Sequence, residues 1–236
     1  MNIFTHRSSE NEIMDDLDCS GAVLDQTLRE LEFINKWLGG NAVTIDALSV
    51  LFRNLEKDRT FKIIDVGCGG GDMAKHIYEW GKKNGFHFEV LGIDANPNVV
   101  AFATRHVADV PAISFRSLNI FEPDFYRLPC DVIIGTLFYH HFTRDQLVEF
   151  FSALKGQVGI GFIINDIHRH PLAYHSIRML TRMFSKSPMV RHDAPTSVIR
   201  AFTRKELEDI LTAAGYSNFI IRWKWAFRWE VIVRMK

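Results

Sequence analysis

The chain has 236 residues, 28 Lys or Arg against 28 Asp or Glu, and a hydrophobic content of 47%. That length buries one full core with room for an appended lid, and no apolar run approaches the ~20 residues of a bilayer span. Zero formal net charge speaks against nucleic acid as an obligatory partner. Cys19, Cys68 and Cys130 have no metal-ligand spacing and cannot all pair. With no signal-peptide core at the N-terminus, a reducing, cytoplasmic location is expected.

The balance of charge is uneven along the chain. From Glu10 to Glu30 seven acids stand against Arg29, and from His168 to Lys205 eight bases stand against Asp193. Two solvated faces of opposite sign would account for this. Alternatively, the two segments pair over a cleft, or the basic one attracts an anionic substrate.

In chain order, the first 58 residues read as a helical cap. Leu24, Leu28, Leu31 and Ile34 form a helical stripe, Gly39-Gly40 breaks it, and a second helix covers 43–55. An apolar strand over 61–66 then carries Asp65 into a loop with Gly67, Gly69 and Gly71, followed by a helix over 72–83. Glycines there tolerate a tight strand-to-helix turn and let a ligand lie against the main chain, so the loop reads as the floor of a nucleoside site. A second strand over 86–93 ends at Asp94, and Pro97 suits a helix first turn. Further strands are expected over 112–118, 131–137 and 158–164, with a helix from the Thr143 cap to about Lys155 between the last two. Thr203 and Glu206 form a capping box for a helix over 205–214, and two runs over 218–225 and 229–234 read as an antiparallel pair.

This pattern predicts an α/β fold with a twisted, mostly parallel sheet covered by helices on both faces. Ligands in such sheets sit beyond the carboxyl ends of the strands, where Asp65, Asp94, Asn119 and residues 135–141 all fall. A carboxylate at Asp94 can accept both ribose hydroxyls of a nucleoside; the plainer reading is a cap on the helix that follows through Asn96-Pro97. Asn119 can meet an adenine edge with Ile120 against the ring, or be a simple turn residue.

Three stretches together resemble the class I S-adenosylmethionine-dependent methyltransferases: Ile-Ile-Asp-Val-Gly-Cys-Gly-Gly-Gly-Asp at 63–72, Gly-Ile-Asp-Ala-Asn at 92–96, and Asp-Val-Ile-Ile-Gly-Thr-Leu-Phe-Tyr-His-His-Phe at 131–142. The terminal helix and hairpin resemble that family as well. The resemblance implies a Rossmann-like, seven-stranded, mostly parallel sheet with an antiparallel C-terminal hairpin over residues 59–236, behind the N-terminal cap. It implies that S-adenosylmethionine is the cofactor. Asp65, Gly67, Cys68, Gly69 and Gly71 would hold its methionine portion, Asp94 and Ala95 the ribose, and Asn119 and Ile120 the adenine. Gly135 and Thr136 would line the methyl-donor end. Residues 29–40, with 165–169 and 191–193, resemble a bacterial subgroup acting in small-molecule secondary metabolism on aromatic or polyketide-like compounds. A dinucleotide-binding dehydrogenase is the rival, but its G-x-G-x-x-G spacing is not met, and Tyr78 with Lys82 falls on the helix after the loop.

The expected function is methyl transfer to a small, partly apolar acceptor, on oxygen. The alternatives are an RNA or protein methyltransferase and a non-catalytic binding protein. If the acceptor must lose a proton, His140 and His141 are the first base candidates, and an Asp166-oriented His168 is the second. Arg169 could hold a carboxylate or phenolate. No third ligand completes a metal site around the histidines, so no metal is expected. Residues 168–200 read as a lid insertion: an amphipathic helix between Pro171 and Pro188, then a polar loop from Val190 that closes through Arg191 and His192. That basic helix also suits a membrane surface, although packing or lid duty is the expected role. The chain is expected to be a monomer or homodimer.

Overall fold

The computed structural model describes residues 3–235; residues 1, 2 and 236, at the outer ends of the two expected parts, lie outside them. Seven strands form one sheet: β1 (Thr60–Val66), β2 (His87–Asp94), β3 (Ile113–Ser117), β4 (Cys130–Thr136), β5 (Val158–Ile167), β6 (Phe219–Lys224) and β7 (Arg228–Arg234). Their order is β3-β2-β1-β4-β5-β7-β6. The first five are parallel, and β7 pairs antiparallel with both β5 and β6.

Period-two alternation of the strands builds two cores. Ile64, Ile133, Phe162, Ile164, Val231 and Val233 face a layer formed by α5 (Arg144–Ala153) and α8 (Arg204–Ala213). Their neighbours Ile63, Val132, Ile134, Ile163 and Ile232 face the opposite layer, from α2 (Gly40–Phe52) and α3 (Asp72–Lys83). Central strands covered on both sides read as continuous apolar runs for this reason. An aromatic knot of Phe52, Phe61, Phe86 and Phe88 closes the second layer.

The two helices of the expected cap do different work. α2 packs on β5 and β7 with Ala47, Leu48 and Leu51 fully buried. α1 (Gly21–Trp37) instead leans on α4 (Pro97–His106) through Leu24, Leu28, Val99 and Phe102, which places it over the carboxyl end of the sheet.

Two local expectations are corrected. The fifth strand runs on to Ile167 because Asn165, Asp166 and Ile167 pair with Glu230, Trp229 and Arg228 of the hairpin. The expected polar loop is a helix, α7 (Pro188–Arg200), starting where the Ser187 hydroxyl accepts from Val190 N, with Pro188 in its first turn. Pro195 lies inside it and removes one backbone donor, yet the helix runs through. α6 (Pro171–Phe184) precedes it and packs on it. Among the described residues no helix is long and apolar enough to cross a membrane.

Candidate functional site

β1 pairs with β2 on one side and with β4 on the other, so the chain reverses its direction of travel across the sheet beside β1. A crevice opens at such a point beyond the strand ends. Here it is a cavity of about 530 Å³. Its floor is Asp65, Gly67, Cys68, Gly69 and Gly70; one wall is Asp94, Ala95, Asn119 and Ile120; another is Thr136, His140 and His141. Residues 11–17, one side of α1 and one side of α7 roof it.

The loop after β1 is shaped by its glycines. Gly69 has φ +50° with only Leu28 within 4 Å of where a Cβ would stand, so its main chain is bare toward the cavity. Gly71 is different. Its absent side chain makes room for Phe115 and Val107, and it does not line the cavity. Gly135 is likewise corrected: it makes room for the Tyr139 ring at the back of β4, while Thr136 faces the cavity and bonds Thr44.

Electrostatically the floor is unsatisfied. Asp65 is 1% exposed, and its Oδ2 has no hydrogen-bond partner among the described residues. Burial, then the neighbouring Asp72 and Asp94, push its carboxyl well above the usual range. Asp72 and Asp94 are raised too, chiefly by burial. Asp72 also carries an unpartnered Oδ2. Three clustered acids, two of them with an unpartnered oxygen, fit a cationic ligand, because an added positive charge offsets both the repulsion and the desolvation. Asp94 also accepts from Asn96 N at 3.0 Å, while Asn96 itself caps α4. Asn119 spends its Oδ1 on Phe121 N at 3.0 Å, an Asx turn that leaves its amide nitrogen free.

On the opposite wall a chain of ionisable groups runs inward. Leu137 adopts a left-handed φ of 55° and turns the chain into a short helical turn, Tyr139–His141. His140 Nδ1 donates to Asp166 Oδ1 at 2.7 Å, and its backbone N–H donates to Asp166 Oδ2 at 3.1 Å. Its Nε2 stands 3.5 Å from Glu12 Oε1. Burial alone would lower the imidazole, but Asp166 and Glu12 outweigh it and raise His140 to about 9. Asp166 and Glu12 are lowered in return, their burial outweighed by His140. His141 Nδ1 donates to Asp15 Oδ1 at 2.6 Å, and Asp15 also pairs with Arg200.

Several expected site residues go elsewhere. Asp166 orients His140, not His168. His168 packs on Trp229 outside the cavity, and burial with His170 and Arg169 lowers it to about 4. Arg169 is a structural clip: it donates to Phe4 O at 3.0 Å, to Ala201 O and to Glu206 Oε1 at 2.8 Å. Arg191 donates to Ser185 O, and His192, which does not line the cavity, pairs with its neighbour Asp193. The cavity side of α7 is Val190, Asp193, Ala194, Ser197 and Arg200, one face by helical spacing. Glu12, Asp15, Asp193 and Arg200 escaped the residue-by-residue reading. Their signal was the opposed charge of the two segments, which do meet over the cavity. Glu12, His140 and His141 offer ligand atoms within 4.8 Å of one another, but Arg200 Nη1, 3.6 Å from Glu12 Oε1, already supplies positive charge there.

Residues 63–161 match the family described as "Methyltransferase domain". No curated protein matches the chain. Among solved structures, the chain is similar to human N-acetylserotonin methyltransferase in complex with SAM, at 19% identity and a TM-score of 0.63 over 90% of this chain and 55% of that one. It thus spans little more than half the length of the human protein. The plantazolicin methyltransferase BpumL in complex with SAH gives 16% identity and a TM-score of 0.65 over 91% of this chain and 95% of that one. A putative O-methyltransferase from Nostoc punctiforme gives 17% and 0.63 over 98% and 64%. Strand order and the reversed terminal strand, with the likeness to these structures, give this chain the Rossmann-like fold of the class I methyltransferases, and residues 63–161 are the part that matches the methyltransferase-domain family.

Proposed function

We propose that the chain moves a methyl group from S-adenosylmethionine to a hydroxyl of a small, partly apolar acceptor, with His140 and Asp166 handling the acceptor's proton. The observation that carries this reading is the cluster of Asp65, Asp72 and Asp94 lining the cavity beside the glycine loop, with a buried, unpartnered carboxylate oxygen on both Asp65 and Asp72. S-adenosylmethionine, which supplies an electrophilic methyl on a sulfonium, carries the positive charge that these acids lack. Asp65 with Gly67, Cys68, Gly69 and Gly70 would hold its methionine portion. Asp94 and Ala95 would hold the ribose, Asn119 and Ile120 the adenine, and Thr136 would line the methyl-donor end.

On the acceptor side, alignment supplies most of the acceleration of an in-line displacement, since well-oriented reactants gain ~7–11 kcal/mol. Residues 11–17, α1 and α7 roof the cavity and give it the size of a small-molecule site rather than a long groove. The acids lining it disfavour an anionic acceptor, so a neutral hydroxyl is preferred. His140 reaches the cavity, and Asp166 fixes its ring and its tautomer. In its neutral form it takes the proton that the acceptor oxygen gives up as the new bond forms. A base raised to about 9 sits close to a phenol at ~10, the match that favours proton transfer.

Formation of S-adenosylhomocysteine on incubation with a panel of phenols and polyketide-like alcohols tests the activity. The rate is expected to climb with pH as His140 loses its proton near pH 9. His140→Gln should remove that limb and lower the rate about 10²–10⁴-fold, with S-adenosylhomocysteine affinity unchanged. Asp94→Ala should weaken that affinity at least tenfold. Tighter calorimetric binding of NAD than of S-adenosylhomocysteine would overturn the cofactor, and an unaltered pH profile in His140→Gln would overturn the base.

A further inference from the structure

α6 does not bury its apolar residues as a packing helix should. Ala173 and Thr181 face α7, whereas Leu172, Met179, Met183 and Phe184 are 58–72% exposed. Leu172, Met179 and Met183 recur at helical spacing and form one outward strip. Beside that strip run His175, Arg178 and Arg182, and the two together border a shallow groove of about 470 Å³. Lys186 follows just past the helix end, also exposed.

α6 itself carries no acid to oppose these cations. No Asp or Glu occurs between Ile167 and His192. Among the described residues, Arg178, Arg182 and Lys186 make no ion pair. They contrast with Arg169, Arg200 and Arg204, each of which pairs with an acid.

The surface continues onto α1. Glu30 accepts from the backbone N–H of Lys186 and Ser187, which ties α1 to the link between α6 and α7. Phe33 and Trp37 lie one and two turns further along that same side of α1. They are 58% and 75% exposed, and their rings stand 5.7 Å apart. Tryptophan favours the headgroup level of a bilayer, and Phe33 adds apolar surface beside it.

We propose that α6, with Phe33 and Trp37 of α1, docks the protein on an anionic lipid surface. Unpaired cations beside an exposed apolar strip are the composition that lies in a membrane interface. A twofold dimer across the same face would bring the α6 cations of both copies into one interface with no acid of α6 to offset them. The location also has a use. α1 and α7 both border the docking face and both wall the cavity, so an apolar acceptor dissolved in a leaflet would stand next to the site. The proposal does not depend on the methyl-transfer reading, because binding to lipid is read without turnover.

The test is sedimentation of the full chain with vesicles of phosphatidylcholine alone or with one quarter phosphatidylglycerol. Binding is expected only to the anionic vesicles, and high salt should reverse it. Each cation near such a surface is worth roughly a fivefold factor in partitioning, so Arg178→Ala with Arg182→Ala should lose about 30-fold. Met183→Ser with Phe184→Ser should also release the protein, with circular dichroism and S-adenosylhomocysteine affinity unchanged. Tryptophan fluorescence should shift to the blue on anionic vesicles, and Trp37→Phe should reduce that shift. Failure of the wild type to sediment with them would overturn the proposal, as would equal binding to neutral vesicles or variants that bind like the wild type. So would a dimer in analytical ultracentrifugation that the Met183→Ser, Phe184→Ser variant dissolves.

Discussion

Asp65 holds a conflict that a ligand resolves. Its carboxylate lies at the end of a central strand, 1% exposed, beside two further acids and with one oxygen unpartnered. A group raised above its ordinary value costs stability wherever it is ionised in the unfolded chain, so this acid weakens the fold at neutral pH. Asp65→Asn removes the charge at similar volume. The expected outcome is a higher thermal midpoint for the ligand-free protein, by a few degrees, together with at least tenfold weaker binding of S-adenosylhomocysteine by calorimetry. A lower midpoint with unchanged affinity would make Asp65 a structural residue instead. The same reasoning separates His140 from His168, two histidines that look alike in the sequence. One is sandwiched between carboxylates and rises to about 9; the other, beside His170 and Arg169, falls to about 4.

At the scale of elements, the cavity is completed by a segment with little regular structure. Residues 7–17 run across the roof of the cavity and are held by side-chain hydrogen bonds, some their own and some from elsewhere. Arg7 donates to the carbonyls of Arg200, His140 and Phe142. Asp193 of α7 accepts from Ile13 N at 2.8 Å and Met14 N at 3.1 Å, and Ser197 donates to Glu12. Such a strap opens more readily than the sheet, because side-chain anchors rather than a packed core secure it. Asp193→Ala takes away two charge-assisted bonds worth about 1.5–3 kcal/mol each. Hydrogen exchange at residues 11–15 should then rise at least tenfold, with exchange in β1 and β4 unchanged. A strap that exchanges at the wild-type rate would show that Arg7 and Arg200 suffice to hold it.

For the whole molecule, the buried ion set gives stability a pH window. His140 is raised from 6.5 to about 9, so its contribution is full below 6.5 and is lost as pH rises through about 9. Glu12 and Asp166 are lowered, so theirs is present above the ordinary carboxylate range and is lost as pH falls through their depressed values. Thermal midpoints should therefore fall on the alkaline side between pH 7 and about 9.5. His140→Gln should flatten that limb, and an unchanged alkaline limb in the variant would place the loss in another group.

Much of this was legible from one dimension. The apolar run through Ile63 and Ile64 into Asp65, the glycines that follow, and Asp94 at the next strand end specify the sheet and the floor of the cavity, because both depend on local pattern and turn chemistry. The capping box at Thr203 and Glu206 fixed the last helix in the same way. Pairing between distant groups was a different matter. Nothing local says that Asp166 turns toward His140, 26 residues earlier, rather than toward His168 two residues on, nor that Arg169 closes on Glu206. Strand pleating and the route of the N-terminal strap decide those partners. Nor does helical periodicity say which side of α6 meets the protein: packing on α7 claimed Ala173 and Thr181 and left the methionines outside. The sequence by itself determined the sheet, the glycine loop and its acids, since these are set by neighbours in the chain. Only the tertiary structure decided which acid, base and helix face the cavity, since long-range packing sets the direction of a buried side chain.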